Sequence, residues 1–253
     1  MESRVAYTAL VVAVGVERLL ELLISARNER RARARGAVEA GRGHYPAMVA
    51  LHASFLAACP LEVWALHRPW RPALGVPMVA VLLAAGATRY WVIHALRGRW
   101  TTRVLYVPGD PLVTAGPYRW LRHPNYVAIV AEMAALPLVH GAWLTAAVFS
   151  AANALVLRRR IAAEERLIAD SEILGGVAEV ARAHLGWHGT LAPDRPLADV
   201  LALDSLRQLT LIVEVENRFR IRLDEEDERG IETVADLVAT IRRKRGSAPP
   251  DAR

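Results

Sequence analysis

Gly109-Asp110-Pro111-Leu112-Val113-Thr114-Ala115-Gly116-Pro117-Tyr118-Arg119-Trp120-Leu121-Arg122-His123-Pro124-Asn125-Tyr126 separates two long apolar stretches, and its reading decides how the chain is organised. It concentrates residues that punctuate a backbone (Gly109, Pro111, Gly116, Pro117, Pro124) with polar aromatics and bases, a composition suited to a membrane edge. Before it, residues 73–96 are apolar over a length that spans a hydrocarbon core of about 30 Å at about 1.5 Å per helical residue. After it, residues 127–157 are too long for one ordinary span, and Pro137 and Gly141 interrupt them near the middle. Each half, at about 14 residues, makes about 21 Å of helix, so the expectation is a hairpin that enters and leaves on one side.

Working back to the start, residues 5–24 and 48–66 read as two further spans. Arginines cluster at 27–35, 97–103 and 158–160, whereas the link at 67–72 carries only Arg68 and Arg71. Positive charge marks the cytoplasmic side, so the N-terminus is expected outside and the large loops inside. Glu17, Arg18 and Glu21 interrupt the first apolar run, which argues for an uncleaved span over a signal peptide.

The formal net charge of +6 conceals an asymmetry. Residues 1–171 hold 20 Arg against 11 acids, and residues 172–253 hold 12 basic residues against 15 acids. The arginines sit at the ends of apolar segments, where topology places them, so nucleic acid is not an expected partner. Cys59 is the only cysteine, which excludes an intramolecular disulfide. His44, His52, His67, His94 and His140 lack metal-ligand spacing and read as interfacial or packing groups; no metal is expected.

From residue 172 onward, charged and apolar residues alternate as in small water-soluble helical domains. Residues 171–176, with Gly175 and Gly176, read as a junction, followed by helices at 177–185, 205–219 and 234–243. Leu206, Leu209, Ile212, Val213, Val215 and Phe219 are expected to form the core-facing stripe of the middle helix, with Asp204 as its N-cap and Ser205 exposed at its first position. The fold class expected is thus all-α: an integral-membrane domain over 1–171 (three spans plus a helical hairpin), a soluble four-helix bundle over 172–246, and a disordered tail over 247–253.

Three blocks carry a resemblance to the isoprenylcysteine carboxyl methyltransferase family. They are Asp110 to Val113; Gly116-Pro117-Tyr118 through Arg122-His123-Pro124-Asn125-Tyr126; and Arg160-Ile161-Ala162-Ala163-Glu164-Glu165-Arg166-Leu167. Sterol reductases of the same membrane superfamily share the Arg-His-Pro-x-Tyr run, so the Arg-x-x-x-Glu-Glu block is what makes the resemblance specific. Glu17-Arg18-Leu19-Leu20-Glu21-Leu22 and Gly43-His44-Tyr45-Pro46 look like a bacterial branch found beside type III polyketide synthases. The family's usual aromatic-rich final helix is replaced here by the second domain. From Asp204 to Arg243 the chain resembles acyl carrier proteins without a gap, Ala202 standing where a Gly is common.

The resemblance implies that Asp110, Pro111, Leu112, Val113, Tyr118, His123, Pro124, Asn125, Tyr126 and Glu164 hold S-adenosylmethionine, and that Arg160 faces the substrate as the catalytic residue. It implies 4′-phosphopantetheine on Ser205, attached by a phosphopantetheinyl transferase. Expected partners are the lipid bilayer, a lipophilic acceptor such as an alkylpyrone, phenolic lipid or carboxylate, and a polyketide synthase or acyl-activating enzyme. The expected location is the bacterial inner membrane with the carrier in the cytoplasm. Spacing adds one independent point: Arg160 and Glu164, four apart, share a helical face, although a plain solvated ion pair would satisfy that spacing too. The alternatives are an NADPH-dependent sterol-type reductase and a non-catalytic membrane anchor for the carrier.

Overall fold

The computed structural model describes residues 1–41, 43, 45–107, 110–189 and 191–247, with the side chain of residue 247 excepted. His44, Gly109 and all but the first residue of the expected tail lie outside the described residues. The chain divides into two compact units, Met1–Glu164 and Glu165–Arg253.

The first unit contains α1 (Glu2–Ala34), β1 (Val38–Ala40), α2 (Tyr45–Ala65), α3 (Pro72–Leu96), β2 (Val104–Tyr106), a 3-10 turn (Gly116–Arg119), α4 (Pro124–Leu138) and the start of α5 (Trp143–Leu185). Proline opens α3 and α4, where its missing N–H would have had no intrahelical partner. The α4 helix ends where expected: Pro137 lies in its last turn, and Gly141, at φ +71°, reverses the chain into α5. That next helix is not a 14-residue half-span. It runs for 43 residues, about 64 Å. The chain is predominantly helical, as expected, with one addition: β1 and β2 pair antiparallel in a short ribbon, Glu39 opposite Leu105.

The α2 and α3 helices are long and apolar enough to cross a membrane. The expected first span, α1, has the length but not the composition, and its charges have a structural use. Arg18 bonds to Glu21 on its own helix and to Glu132 of α4 at 2.8 Å. Arg89 of α3 donates to Glu21 at 2.7 Å and lies 3.8 Å from Glu132. These four side chains are almost wholly removed from the surface and tie α1, α3 and α4 together. Apolar packing completes the unit through Tyr7, Val11 and Val14 of α1, Phe55 and Val63 of α2, and Leu136 of α4. Glu62 of α2 accepts from the backbone N–H groups of Leu144 and Thr145, capping the start of α5 from a neighbouring helix.

The second unit comprises the rest of α5 with α6 (Leu197–Leu201), α7 (Ser205–Phe219), α8 (Glu225–Arg229) and α9 (Val234–Ser247). The expected break at 171–176 is absent: Gly175 and Gly176 lie within α5. Gly176 serves close packing instead, since a Cβ there would stand 2.6 Å from the Phe219 ring. Ile173, Val177 and Val180 of α5 meet Leu201, Leu211, Val215, Leu237 and Ile241 in one core.

The α7 stripe is corrected as well. Leu211 and Val215 are buried, whereas Leu206, Leu209 and Val213 are 74%, 60% and 42% exposed. Positions 206, 209 and 213 recur at helical spacing on a face of their own, so counting every apolar residue merged two stripes.

Removing the Leu211 side chain should therefore destabilise the second unit by about 2–5 kcal/mol, while Leu206→Ala should stay within about 0.5 kcal/mol of wild type. Hydrogen exchange of the α7 and α9 amides in the full chain reads the difference. On the acid side, hydrogen bonds from Lys244 and from the Asp227 backbone hold the Asp224 carboxyl at about 2, below its usual 3.8. Its contribution is complete above about pH 3.8 and fades as pH falls through about 2. Lys244→Met should make the α8 and α9 amides less sensitive to that fall, as followed by exchange at stepped pH.

Candidate functional site

The His-Pro-Asn-Tyr run forms the start of α4. His123 occupies the N-cap position and Pro124 the first turn, which brings Tyr126 inward, buried, one turn along. Arg160 and Glu164 come from one face of α5. They are not a plain ion pair: Tyr126 stands between them, its hydroxyl donating to the Glu164 carboxylate and accepting from Arg160 Nε at 3.0 Å. The His123 ring stacks on Tyr126 at 5.3 Å between centroids. Tyr118, in the 3-10 turn, has its hydroxyl pushed up to about 12 by burial and by the Glu164 carboxylate. The Asn125 side-chain oxygen is buried and finds no hydrogen-bond partner among the described residues.

Arg160 is buried and held at three of its five N–H groups. Nη1 donates to the Thr102 carbonyl at 2.6 Å and points at Met48 Sδ at 3.1 Å, and Nε takes the third contact. Among the described residues, none accepts a hydrogen bond from Nη2. The site therefore combines a cation with an uncommitted donor face, a carboxylate, and an orphaned acceptor on Asn125.

Of the residues expected at the site, Arg160 and Glu164 both bond to Tyr126, with His123 stacked on Tyr126 and Tyr118 close enough to feel Glu164. Pro124 and Asn125 are their chain neighbours. Residues 110–113 are anchored differently. Asp110 pairs with Arg35 at 2.6 Å and accepts from Tyr106, and Arg99 donates to the Pro111 carbonyl at 2.8 Å. Leu112 is half exposed, and Val113 is partly buried. Thr102 and Met48, which hold Arg160, were not among the expected residues; neither belongs to a motif. The ionic group of Arg89, Glu21 and Glu132 could have been found, since charges inside apolar runs signal buried pairing.

Residues 78–170 match the model of the isoprenylcysteine carboxyl methyltransferase family, and they contain every residue expected to bind cofactor or face the methyl acceptor. Across the longer reach of 165 residues the chain is 34% identical to YpbQ, an uncharacterized protein of Bacillus subtilis (strain 168), covering 65% of this chain and 97% of that one.

The chain carries a domain of the isoprenylcysteine carboxyl methyltransferase family.

An uncharacterized protein of Haemophilus influenzae is 29% identical over 149 residues, 58% of this chain and 86% of that protein. Residues 175–241 match the phosphopantetheine attachment site model, so the methyltransferase-family domain is followed by an acyl carrier domain. The acyl carrier protein of Kineococcus radiotolerans is 33% identical over 81 residues, 32% of this chain and all of that protein. No solved structure matches the chain.

In the carrier domain Asp204 caps α7, its side chain accepting from the Arg207 N–H at 2.8 Å. Ser205 follows at the first helical position, exposed, where the positive end of the helix dipole favours a phosphodiester. Ala202 has φ +49°, which explains why glycine is common at its position. Co-expression with a phosphopantetheinyl transferase should add about 340 Da to the wild type and nothing to Ser205→Ala. Intact-protein mass spectrometry checks this, and an unmodified wild type across several transferases would count against attachment at Ser205.

Proposed function

We propose that the chain is an S-adenosylmethionine-dependent membrane O-methyltransferase acting on a lipid-like polyketide, such as an alkylpyrone or phenolic lipid, or on a carboxylate. The carrier domain, charged with phosphopantetheine on Ser205, holds or supplies acyl groups. The arrangement of Tyr126 between Arg160 and Glu164, with Arg160 Nη2 uncommitted, is the observation that carries this reading.

The residues fit the cofactor in chemical kind. Glu164 offers a carboxylate and Asn125 an unpaired buried oxygen to the cofactor's amino groups, and His123, Tyr118 and Tyr126 offer aromatic walls. Asp110, Pro111, Leu112, Val113 and Pro124 complete the proposed binding set. S-adenosylmethionine, when bound, supplies an electrophilic methyl group. The chain's own residues align the acceptor, exclude water and hold charge. Arg160, fixed by Thr102 and Tyr126, would present Nη2 to the acceptor's oxyanion, favouring the ionised nucleophile and keeping it in place. Glu164 would hold the cofactor and, through Tyr126, the orientation of Arg160.

The arginine clusters support a cytoplasmic carrier in the bacterial inner membrane, where coenzyme A is available for loading Ser205. A phosphopantetheinyl transferase and a polyketide synthase or acyl-activating enzyme are the partners this reading calls for.

Calorimetry on the detergent-solubilised full chain should register S-adenosylmethionine and not NADPH; NADPH alone would overturn the reading in favour of a reductase. Glu164→Ala should weaken cofactor binding by about 1–3 kcal/mol, the loss expected when a buried hydrogen-bonding partner is removed. Arg160→Ala should spare cofactor binding and lower turnover, because its charge matters most as the transition state forms.

A further inference from the structure

Arg160 is only as well placed as the carbonyl that holds it, and that carbonyl belongs to a segment with no regular secondary structure. Residues 100–103 connect the end of α3 to β2. Two buried polar side chains of α1 fasten this segment. Ser25, 2% exposed, accepts from the Thr102 N–H at 2.8 Å and shares a hydrogen bond with the Thr102 hydroxyl at 2.9 Å. One turn further along α1, Asn28 donates to the Trp100 carbonyl at 2.8 Å. Tyr45 adds a contact to the Thr102 hydroxyl at 3.3 Å, and the Arg103 guanidinium lies 4.0 Å from the centre of its ring.

The N–H and C=O of Thr102 thus face two different partners: the N–H is taken by Ser25, and the carbonyl takes Arg160 Nη1 at 2.6 Å. Fixing the peptide on either side of Thr102 fixes the direction of that carbonyl, since the backbone has few soft dihedrals between them. We propose that Ser25 and Asn28 are positioning residues for Arg160, acting through the Trp100–Thr102 backbone. The proposal rests on the reading of Arg160 as the group that faces the methyl acceptor, and it assigns to α1 a part in turnover that no motif marks.

The hydrogen bonds of both residues go to Trp100 and Thr102 and not to the proposed cofactor-binding residues, so their loss should separate turnover from cofactor affinity. The test uses the full chain in nanodiscs, with radiolabelled S-adenosylmethionine and two acceptor probes, palmitate and a synthetic long-chain 4-hydroxy-2-pyrone. In Ser25→Ala the maximal rate with whichever probe the wild type methylates should fall about tenfold or more, the scale of a small misalignment. S-adenosylmethionine affinity should stay within about twofold, and amide exchange over residues 100–103 should accelerate. Ser25→Thr, which keeps the hydroxyl, should recover most of the rate. Asn28→Asp is isosteric but replaces the donor with an oxygen facing the Trp100 carbonyl, so it should repeat the Ser25→Ala pattern.

A Ser25→Ala protein with wild-type turnover despite faster exchange at 100–103 overturns the proposal. So does a parallel loss of cofactor affinity and rate that Ser25→Thr does not relieve, because that pattern is general structural damage. A wild type that binds no S-adenosylmethionine and methylates neither probe counts against the functional reading itself, which distinguishes that failure from failure of the positioning role.

Discussion

The paired charges of Arg18, Glu21, Arg89 and Glu132 are the constraint from which the rest of the first unit follows. Removed from water, a lone guanidinium or carboxylate is strongly unfavourable, and each becomes tolerable only with its partners in contact. Satisfying all four at once leaves α1 little freedom to slide or turn against α3 and α4. Apolar contacts are non-directional and set that register less sharply than paired charges do. Ser25 stands one helical turn beyond Glu21, and Asn28 nearly another. The position of the ionic group therefore sets where α1 meets the 100–103 segment, and so where Arg160 finds its acceptor.

This view also accounts for a difference between α1 and its neighbours. α2 and α3 present apolar surface along their length, while α1 carries Glu17, Arg18 and Glu21 in its middle. By average hydropathy those charges weaken α1 as a membrane-crossing helix. In three dimensions Arg18 and Glu21 are residues by which it is held.

Much of the architecture was legible because it depends on local rules. Prolines open helices, and Pro137 with Gly141 end one and start the next; Asp204 caps α7 as its position suggested. The Tyr126, Arg160 and Glu164 group was legible for another reason, since the family's motifs place those residues in two blocks that the fold then unites. What escaped notice depends on partners far away in the chain. Gly176 reads as part of a junction until the Phe219 ring is seen against it, and nothing near Leu206 or Leu211 says which of the two faces the carrier core. Ser25 and Asn28 read as ordinary polar residues beside an arginine cluster. Their use appears only when Trp100 and Thr102, more than 70 positions later, come to meet them.

The continuity of α5 bears on how such proteins are assembled from parts. Carrier domains are commonly thought of as beads joined by pliable string, to be cut and respliced at will. Here the first helix of the carrier core has no start of its own: Ile173, Val177 and Val180 continue the helix that bears Arg160 and Glu164. A fragment opened at residue 172 would begin inside a helix, with its first backbone N–H groups deprived of their acceptors and a core residue at its second position. A graft opened at that point would have to supply the missing turn as well as the core.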